Sequence, residues 1–330
     1  MFNVGLISTW HVHTQDYVRQ LKESGKARIA ALWDENPEKG KAAAAQWNIE
    51  FYENYDKFIS CNDFSAVICD APTTMHPALL SKAAAAGKDI FTEKVLAVTA
   101  NEALSLADDI RKAGVIFAIS LPLRSDPKVL YVKQLVDTGA LGRITGARFR
   151  RSHSGVSDRW LPDYWFDTSK SGGGAMMDLG AHPVYVLSFL FGAPKRISGM
   201  TTCPFGTSSD ENTIAVAEFN DGLLCTIETA FITYGVPDIL EVYGTEGSVF
   251  MRGEEIKVSS KTLDSLSFNN AVPGKMPAAK PTPIIQFVDA CINRSRSPEY
   301  LGLEDAVLLT QITEAVYHSD KAGKEIRFRQ

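Results

Sequence analysis

The chain has 330 residues, 45% of them hydrophobic and 22% charged, with a formal net charge of −5 and a pI near 5.7. That length supports two domains of ordinary globular composition, and the acidic balance carries no electrostatic footprint for nucleic acid or an anionic membrane. Five cysteines, at 61, 69, 203, 225 and 291, form no C-x-x-C pair and are odd in number, which suits a reducing compartment. With no export signal and no membrane span, the expectation is a cytoplasmic protein whose partners are small molecules.

Over the first 120 positions short apolar runs alternate with helix-period segments, the pattern of βαβ units. Strands are expected at "FNVGLI", "ARIAALWD", "SAVICD", "DIFTE" and "VIFAIS". Helices are expected at 13–23, 37–47, 76–86 and 99–113, the last opened by a Thr99/Glu102 capping box. The reading is a doubly wound parallel sheet over residues 1–122.

A second domain, 123–330, is expected to start with a helix in "PKVLYVKQLVDTGALG" and to continue in period-2 segments at 143–153, 195–203, 210–219, 222–233, 239–244 and 247–252. Asn220-Asp221-Gly222 and Gly244-Thr245-Glu246-Gly247 supply hairpin turn chemistry. This predicts an open antiparallel sheet flanked by helices, an α+β arrangement after the α/β half. Residues 260–283 read as a long surface excursion, followed by helices at 283–293 and 302–321.

Three places carry chemistry. Asp34 ends the second strand 26 residues after Ser8, where a Rossmann unit puts an acid for the adenosine ribose hydroxyls; a carboxylate there favours NAD over NADP. The same aspartate could equally serve the following helix as an N-cap. Glu93 and Lys94 emerge at the carboxyl end of a parallel strand, the edge where open α/β sheets bind ligands, and a lysine there can polarise a substrate oxygen. Its alternative is a solvated charge. In "SGGGAMMDLGAHPVYVLSFLFG", three glycines precede an apolar helix in which Asp178 and His182, four apart, would share one face as a proton relay, a metal pair or a buried polar contact.

Together "EKV" and "GGGAMMDLGAH", in order and spacing with "CDAPTTMHPALLSKAAAAGKDIFTEK", resemble the glucose-fructose oxidoreductase and inositol dehydrogenase family (Gfo/Idh/MocA) across nearly the whole chain. The resemblance implies a nucleotide-binding domain followed by an open-sheet domain, with the active site in the crevice between them. It also implies NAD as cofactor and a sugar, sugar derivative or cyclitol as substrate. Lys94, Asp178 and His182 would be the catalytic set, His182 acting as base on a hydroxyl while hydride moves. Ala71, Pro72, Thr73, His76 and Glu93 would border the nicotinamide end, with Trp165 near it. Tyr164 and Arg124 are candidates for substrate contact, and a homodimer or homotetramer would cover the open sheet face.

The chain departs from that family at the first turn. Where G-x-G-x-x-G is expected, the residues are Ser8, Trp10 and His13. Either Ser8, Thr9, Trp10, His11 and Val12 still hold the diphosphate, or the dinucleotide sits weakly, displaced or not at all. His11 and His13 lack a third ligand in the sequence, so no metal is expected. Val95 replaces the proline of E-K-P, and Phe166 stands where an arginine often follows the family tryptophan. An NAD-dependent sugar or cyclitol dehydrogenase is therefore the leading expectation. NAD-assisted elimination or glycoside cleavage, and a non-catalytic sugar-binding protein, are its alternatives.

Overall fold

A computed structural model describes residues 1–263 and 276–328. The chain divides into two compact units, one of residues 1–121 with 281–310, the other of residues 122–280 with 311–330.

The first unit is built on six strands: β1 (Phe2–Ile7), β2 (Ala27–Trp33), β3 (Glu50–Tyr52), β4 (Ala66–Cys69), β5 (Asp89–Thr92) and β6 (Phe117–Ile119). They are ordered β3-β2-β1-β4-β5-β6 and every neighbouring pair is parallel. The strands β4, β5 and β6 are buried along their whole length, as a sheet covered on both faces requires. Helices α1 (Thr14–Ser24), α2 (Pro37–Trp47), α3 (Tyr55–Ile59), α4 (His76–Ala85) and α5 (Ala100–Ala113) connect them. The capping box at Thr99 and Glu102 is formed, and Gly114 ends α5 with φ 67°. The strand order reverses between β1 and β4, which is where ligands bind in such sheets.

Residues 281–310 pack with this unit, although the sequence reading assigned everything after 123 to the second. The helix Pro283–Asn293 turns Ile284, Phe287, Val288 and Cys291 inward, and Phe287 meets Phe91 of β5 at 5.8 Å between ring centres. An amphipathic period shows that a helix has a buried face without saying against which sheet.

The second unit begins with α6 (Pro127–Asp137) and β7 (Ile144–Ser152), followed by the short helices α7 (Thr168–Ser171) and α8 (Ala175–Asp178) and by α9 (Ala181–Phe191). Strands β8 (Arg196–Thr202), β9 (Asn212–Glu218), β10 (Leu224–Ala230), β11 (Ile239–Gly244), β12 (Gly247–Arg252), β13 (Glu255–Ser260) and β14 (Ile326–Arg327) complete it. The eight strands are ordered β13-β12-β11-β7-β10-β9-β8-β14. All pairs are antiparallel except β7 with β10, which run parallel. One face buries Phe149, Ala215, Ala217, Cys225, Ile227, Leu240 and Val242, and α8 and α9 pack on β9, β10 and β7.

The expectation of one apolar helix carrying both Asp178 and His182 is corrected. Asp178 closes α8, His182 lies in the first turn of α9, and the chain bends by 53° at the break. Among the described residues no single helix is long and apolar enough to cross a membrane. The excursion expected over 260–283 falls largely on residues 264–275, outside the described ones.

Candidate functional site

In the first unit the predicted residues gather at the carboxyl edge of the parallel sheet: Ser8 to His13 after β1, Asp34 after β2, Asp70 to Thr73 after β4, and Glu93 and Lys94 after β5. Ser8 takes the left-handed conformation, φ 70°, that a glycine would hold at no cost. Its N–H donates to Trp33 O at 2.6 Å, and its hydroxyl accepts the Trp10 N–H at 3.0 Å. The Thr9 N–H and hydroxyl donate to Asp34 Oδ2 at 2.9 and 2.6 Å, while Asn36 N donates to Oδ1 at 2.8 Å. Gly40 of α2 permits this placement, since a Cβ there would meet Asp34 Cβ at 2.6 Å.

Three further N–H groups of the turn are engaged. His11 N donates to Asp70 O at 3.1 Å, His13 N to His11 Nδ1 at 3.2 Å and Thr14 N to His11 O at 3.2 Å. A glycine-rich turn holds a diphosphate with a row of such N–H groups. Here those of Ser8, Thr9, Trp10, His11, His13 and Thr14 are taken up inside the protein, and Trp10 itself is buried.

Glu93 is the hub of the edge. Its Oε1 accepts the Tyr17 hydroxyl in a very short contact, lies 2.9 Å from His13 Nδ1 and 3.7 Å from His11 Nδ1, and its Oε2 accepts the Lys94 N–H at 3.1 Å. Burial alone would raise its pKa, but the charges of His11 and His13 and the His13 hydrogen bond outweigh it and hold the carboxyl well below its ordinary value. The Tyr17 hydroxyl also lies 2.6 Å from Ser120 Oγ. Burial first, then the Glu93 charge, push Tyr17 far up, so it stays a phenol.

Lys94 is buried, at 5% exposure, so it is not the solvated charge of the alternative reading. The peptide joining it to Val95 is cis. His76 lies between Ala71 O at 3.0 Å and Val95 O at 3.1 Å, tying the loop after β4 to the segment behind the lysine. Burial pushes its pKa down.

In the second unit, Trp165 Nε1 donates to Asp178 Oδ2 at 3.3 Å, and the Tyr164 ring stands edge-on to Trp165. His182 is buried, with Nδ1 2.8 Å from the Tyr185 hydroxyl, which also accepts the Leu123 N–H at 3.2 Å. Arg124 is buried and donates through Nε and Nη2 to Tyr185 O at 3.1 and 2.8 Å. Its guanidinium lies over the Tyr185 and Phe189 rings, so it braces α9.

The glycine triplet is explained by two residues that sequence reading did not single out. Asp210 accepts the Gly174 N–H at 2.8 Å and the Met176 N–H at 2.7 Å, capping the start of α8. The Tyr317 hydroxyl donates to Asp210 Oδ1 at 2.7 Å and accepts from Met177 N at 3.1 Å. A Cβ on Gly173 would collide with that hydroxyl and one on Gly174 with the Asp210 carbonyl. Asp210 and Tyr317 are 36 and 143 residues from Gly174, so only the glycines themselves hinted at a close approach.

Residues 2–121 match an oxidoreductase family with an NAD-binding Rossmann fold, and residues 129–250 match the GFO/IDH/MocA C-terminal domain. The chain belongs to the GFO/IDH/MocA family. Its relatives include the levoglucosan dehydrogenase of Pseudarthrobacter phenanthrenivorans, 25% identical over 272 residues, covering 72% of this chain and 70% of that protein. The scyllo-inositol 2-dehydrogenase (NAD(+)) of Bacillus subtilis is 25% identical over 315 residues, 91% and 89% of the two chains. A structure of levoglucosan dehydrogenase with NADH and levoglucosan shares the fold with TM-score 0.86 at 21% identity, covering 100% of both chains. An NAD-binding oxidoreductase from Klebsiella pneumoniae superposes with TM-score 0.83 at 21% identity over 100% and 99%.

The family is thus one of NAD-binding oxidoreductases with sugar and cyclitol dehydrogenases among its members. The donor set of this chain fits a dinucleotide at two places. Asp34 at the end of β2 has taken three hydrogen bonds of the roughly four a carboxylate accepts, and Pro72, Thr73 and Glu93 stand at the ends of β4 and β5. Between them the first turn brings the His11 and His13 imidazoles to the sheet edge beside Glu93.

Proposed function

We propose that this protein is an NAD-dependent dehydrogenase or reductase acting on a secondary hydroxyl of a sugar, sugar derivative or cyclitol. The observation that carries the reading is the buried Lys94 behind Glu93 at the carboxyl edge of a β3-β2-β1-β4-β5-β6 sheet, in a family whose members include levoglucosan and inositol dehydrogenases. Asp34 would take the adenosine ribose, and Ala71, Pro72, Thr73, His76 and Glu93 the nicotinamide end. Ser8, Thr9, Trp10, His11 and Val12 would line the stretch between. When bound, the nicotinamide supplies the hydride acceptor or donor.

Lys94 and His182 serve the same hydroxyl in this proposal. The lysine ammonium donates a hydrogen bond to the substrate oxygen and lowers the cost of negative charge on it. His182 takes the hydroxyl proton at Nε2 in oxidation and returns it in reduction. For that, Nδ1–H must donate to the Tyr185 oxygen, whose second lone pair already holds the Leu123 N–H. Asp178, positioned by Trp165, orients the substrate, with Tyr164 and Trp165 beside it. Arg124 acts through α9, as a positioning residue.

Cytoplasmic residence and a homodimer or homotetramer belong to the same proposal. The strand register puts Met200, Ile214, Val216, Leu224 and Tyr243 on the sheet face opposite α8 and α9, all of them exposed. The same face carries the ion pairs of Arg148 and Arg150 with Glu228, and a sheet face that exposes this many apolar side chains among paired charges is suited to cover by a second subunit.

The test is NADH formation with NAD+ and a panel of anhydrosugars, hexoses and inositols. Wild-type protein is expected to turn over at least one of them. Lys94→Ala and His182→Ala are expected to lose about 10²- to 10⁴-fold in kcat. Binding of NAD+ without turnover of any sugar or cyclitol, in either direction, would defeat the proposal.

A further inference from the structure

We propose that His11, His13 and Glu93 form a binding site for a single divalent transition-metal ion of the zinc or cobalt class, at the first turn of the parallel sheet. The sequence offered two histidines two apart and no third donor. The fold supplies one from 80 residues away, bringing Glu93 Oε1 to 2.9 Å from His13 Nδ1.

One ligand atom from each of the three side chains lies within 4.8 Å of the other two. Two metal–ligand bonds of about 2.0–2.2 Å at a tetrahedral angle hold their donors about 3.4 Å apart, so side-chain movements on the order of 1 Å bring the three donors onto one ion. Two imidazoles and a carboxylate favour zinc, cobalt or ferrous ion over magnesium or calcium, which take oxygen ligands. Three protein ligands also leave a coordination position for water or another small ligand.

The surroundings supply the outer hydrogen bonds such a site requires. Tyr17, backed by Ser120, donates to Glu93 Oε1, and the Lys94 N–H donates to Oε2, fixing the carboxylate's orientation. A second observation points the same way. Asp70, at 0% exposure, has both carboxyl oxygens buried, with the Thr14 hydroxyl as the one neighbouring donor acting on them among the described residues. That hydroxyl is shared, since it also donates to His11 O at 2.8 Å. Buried polar atoms are nearly always paired. Asp70 feels the charges of both Glu93 and His13, and a divalent ion on the imidazoles would balance two buried carboxyl groups at once.

The competing explanation is a simple ion pair between a protonated His13 and Glu93. The experiment takes full-length protein stripped with chelator and free of nucleotide, and titrates it with Zn2+ by calorimetry and with Co2+ by visible absorption. We expect one equivalent of each to bind, and a cobalt spectrum without a thiolate charge-transfer band. His13→Gln, whose amide can still donate to Glu93 from a half-exposed helix start, is expected to weaken binding at least about tenfold while the metal-free protein still unfolds in one cooperative transition, at a somewhat lower Tm because the imidazolium charge beside Glu93 is lost. Cys203→Ser, at an exposed cysteine, is expected to bind as wild type. Absence of stoichiometric binding, equal affinity in His13→Gln, or loss of binding in Cys203→Ser would each overturn the proposal. None of these readouts depends on turnover, so failure here leaves the dehydrogenase reading standing, and failure of that reading leaves this one testable.

Discussion

Asp34 shows how a single side chain can serve the fold and a ligand together. Its oxygens hold the Thr9 and Asn36 N–H groups, and removing the carboxylate leaves those donors without their acceptor. Asp34→Ser is therefore expected to lower stability by about 1–3 kcal/mol, read by chemical denaturation. It should also narrow the preference for NAD+ over NADP+, read as the ratio of the two KM values, because a carboxylate repels a 2′-phosphate. An unchanged ratio would remove Asp34 from the cofactor site. At this scale the sequence was legible wherever identity and spacing are local. Asp34 at a strand end, Lys94 after β5 and the departure from glycine at Ser8 could all be read directly. The partners of Glu93 could not, because Tyr17 and His13 reach it across 76 and 80 positions, with Ser120 backing Tyr17 from 103 positions away, and only the strand order β1-β4-β5-β6 brings them together.

Among the elements, α8 depends on contacts that helical periodicity does not encode. Gly174→Ala forces a Cβ against the Asp210 carbonyl, so it is expected to cost about 1–3 kcal/mol and to reduce kcat by displacing Asp178; normal stability in this variant would contradict the packing described. The sheet offers a pH prediction. Glu228 on β10 is gripped by Arg148 at 2.7 and 2.9 Å and by Arg150 at 3.4 Å, both on β7. Burial would raise its pKa, yet the two arginines hold it below its ordinary value. A lowered folded-state pKa contributes stability fully above the ordinary glutamate value of about 4.3 and loses it as pH falls through the folded value. Glu228→Gln should therefore lower Tm at neutral pH, with the difference from wild type shrinking below about pH 4; a difference independent of pH would contradict this. Most strands and helices were readable from apolar periodicity. The break between α8 and α9 was not, because a single glycine at 180 within a helical pattern is compatible with a continuing helix, and the parallel pairing of β7 with β10 was not, because register between distant strands leaves no local mark.

For the whole molecule, the family motifs made both sheets legible, whereas the allocation of residues 281–310 to the first unit was not, since it rests on which sheet receives Phe287. The exposed apolar residues on the second sheet lead to an association test. Val216→Glu, at a position 43% exposed, should convert an oligomer to a smaller species in sedimentation velocity without unfolding it, and a wild-type monomer would remove that part of the proposal. Hydroxyl oxidation in this proposal depends on Lys94. The most direct measurement follows NADH formation from NAD+ and the best sugar or cyclitol substrate for wild type and Lys94→Ala, with NAD+ affinity measured separately for both. Lys94→Ala is expected to lose at least about a hundredfold in kcat with NAD+ affinity nearly unchanged; comparable turnover by the two proteins would rule out a catalytic lysine.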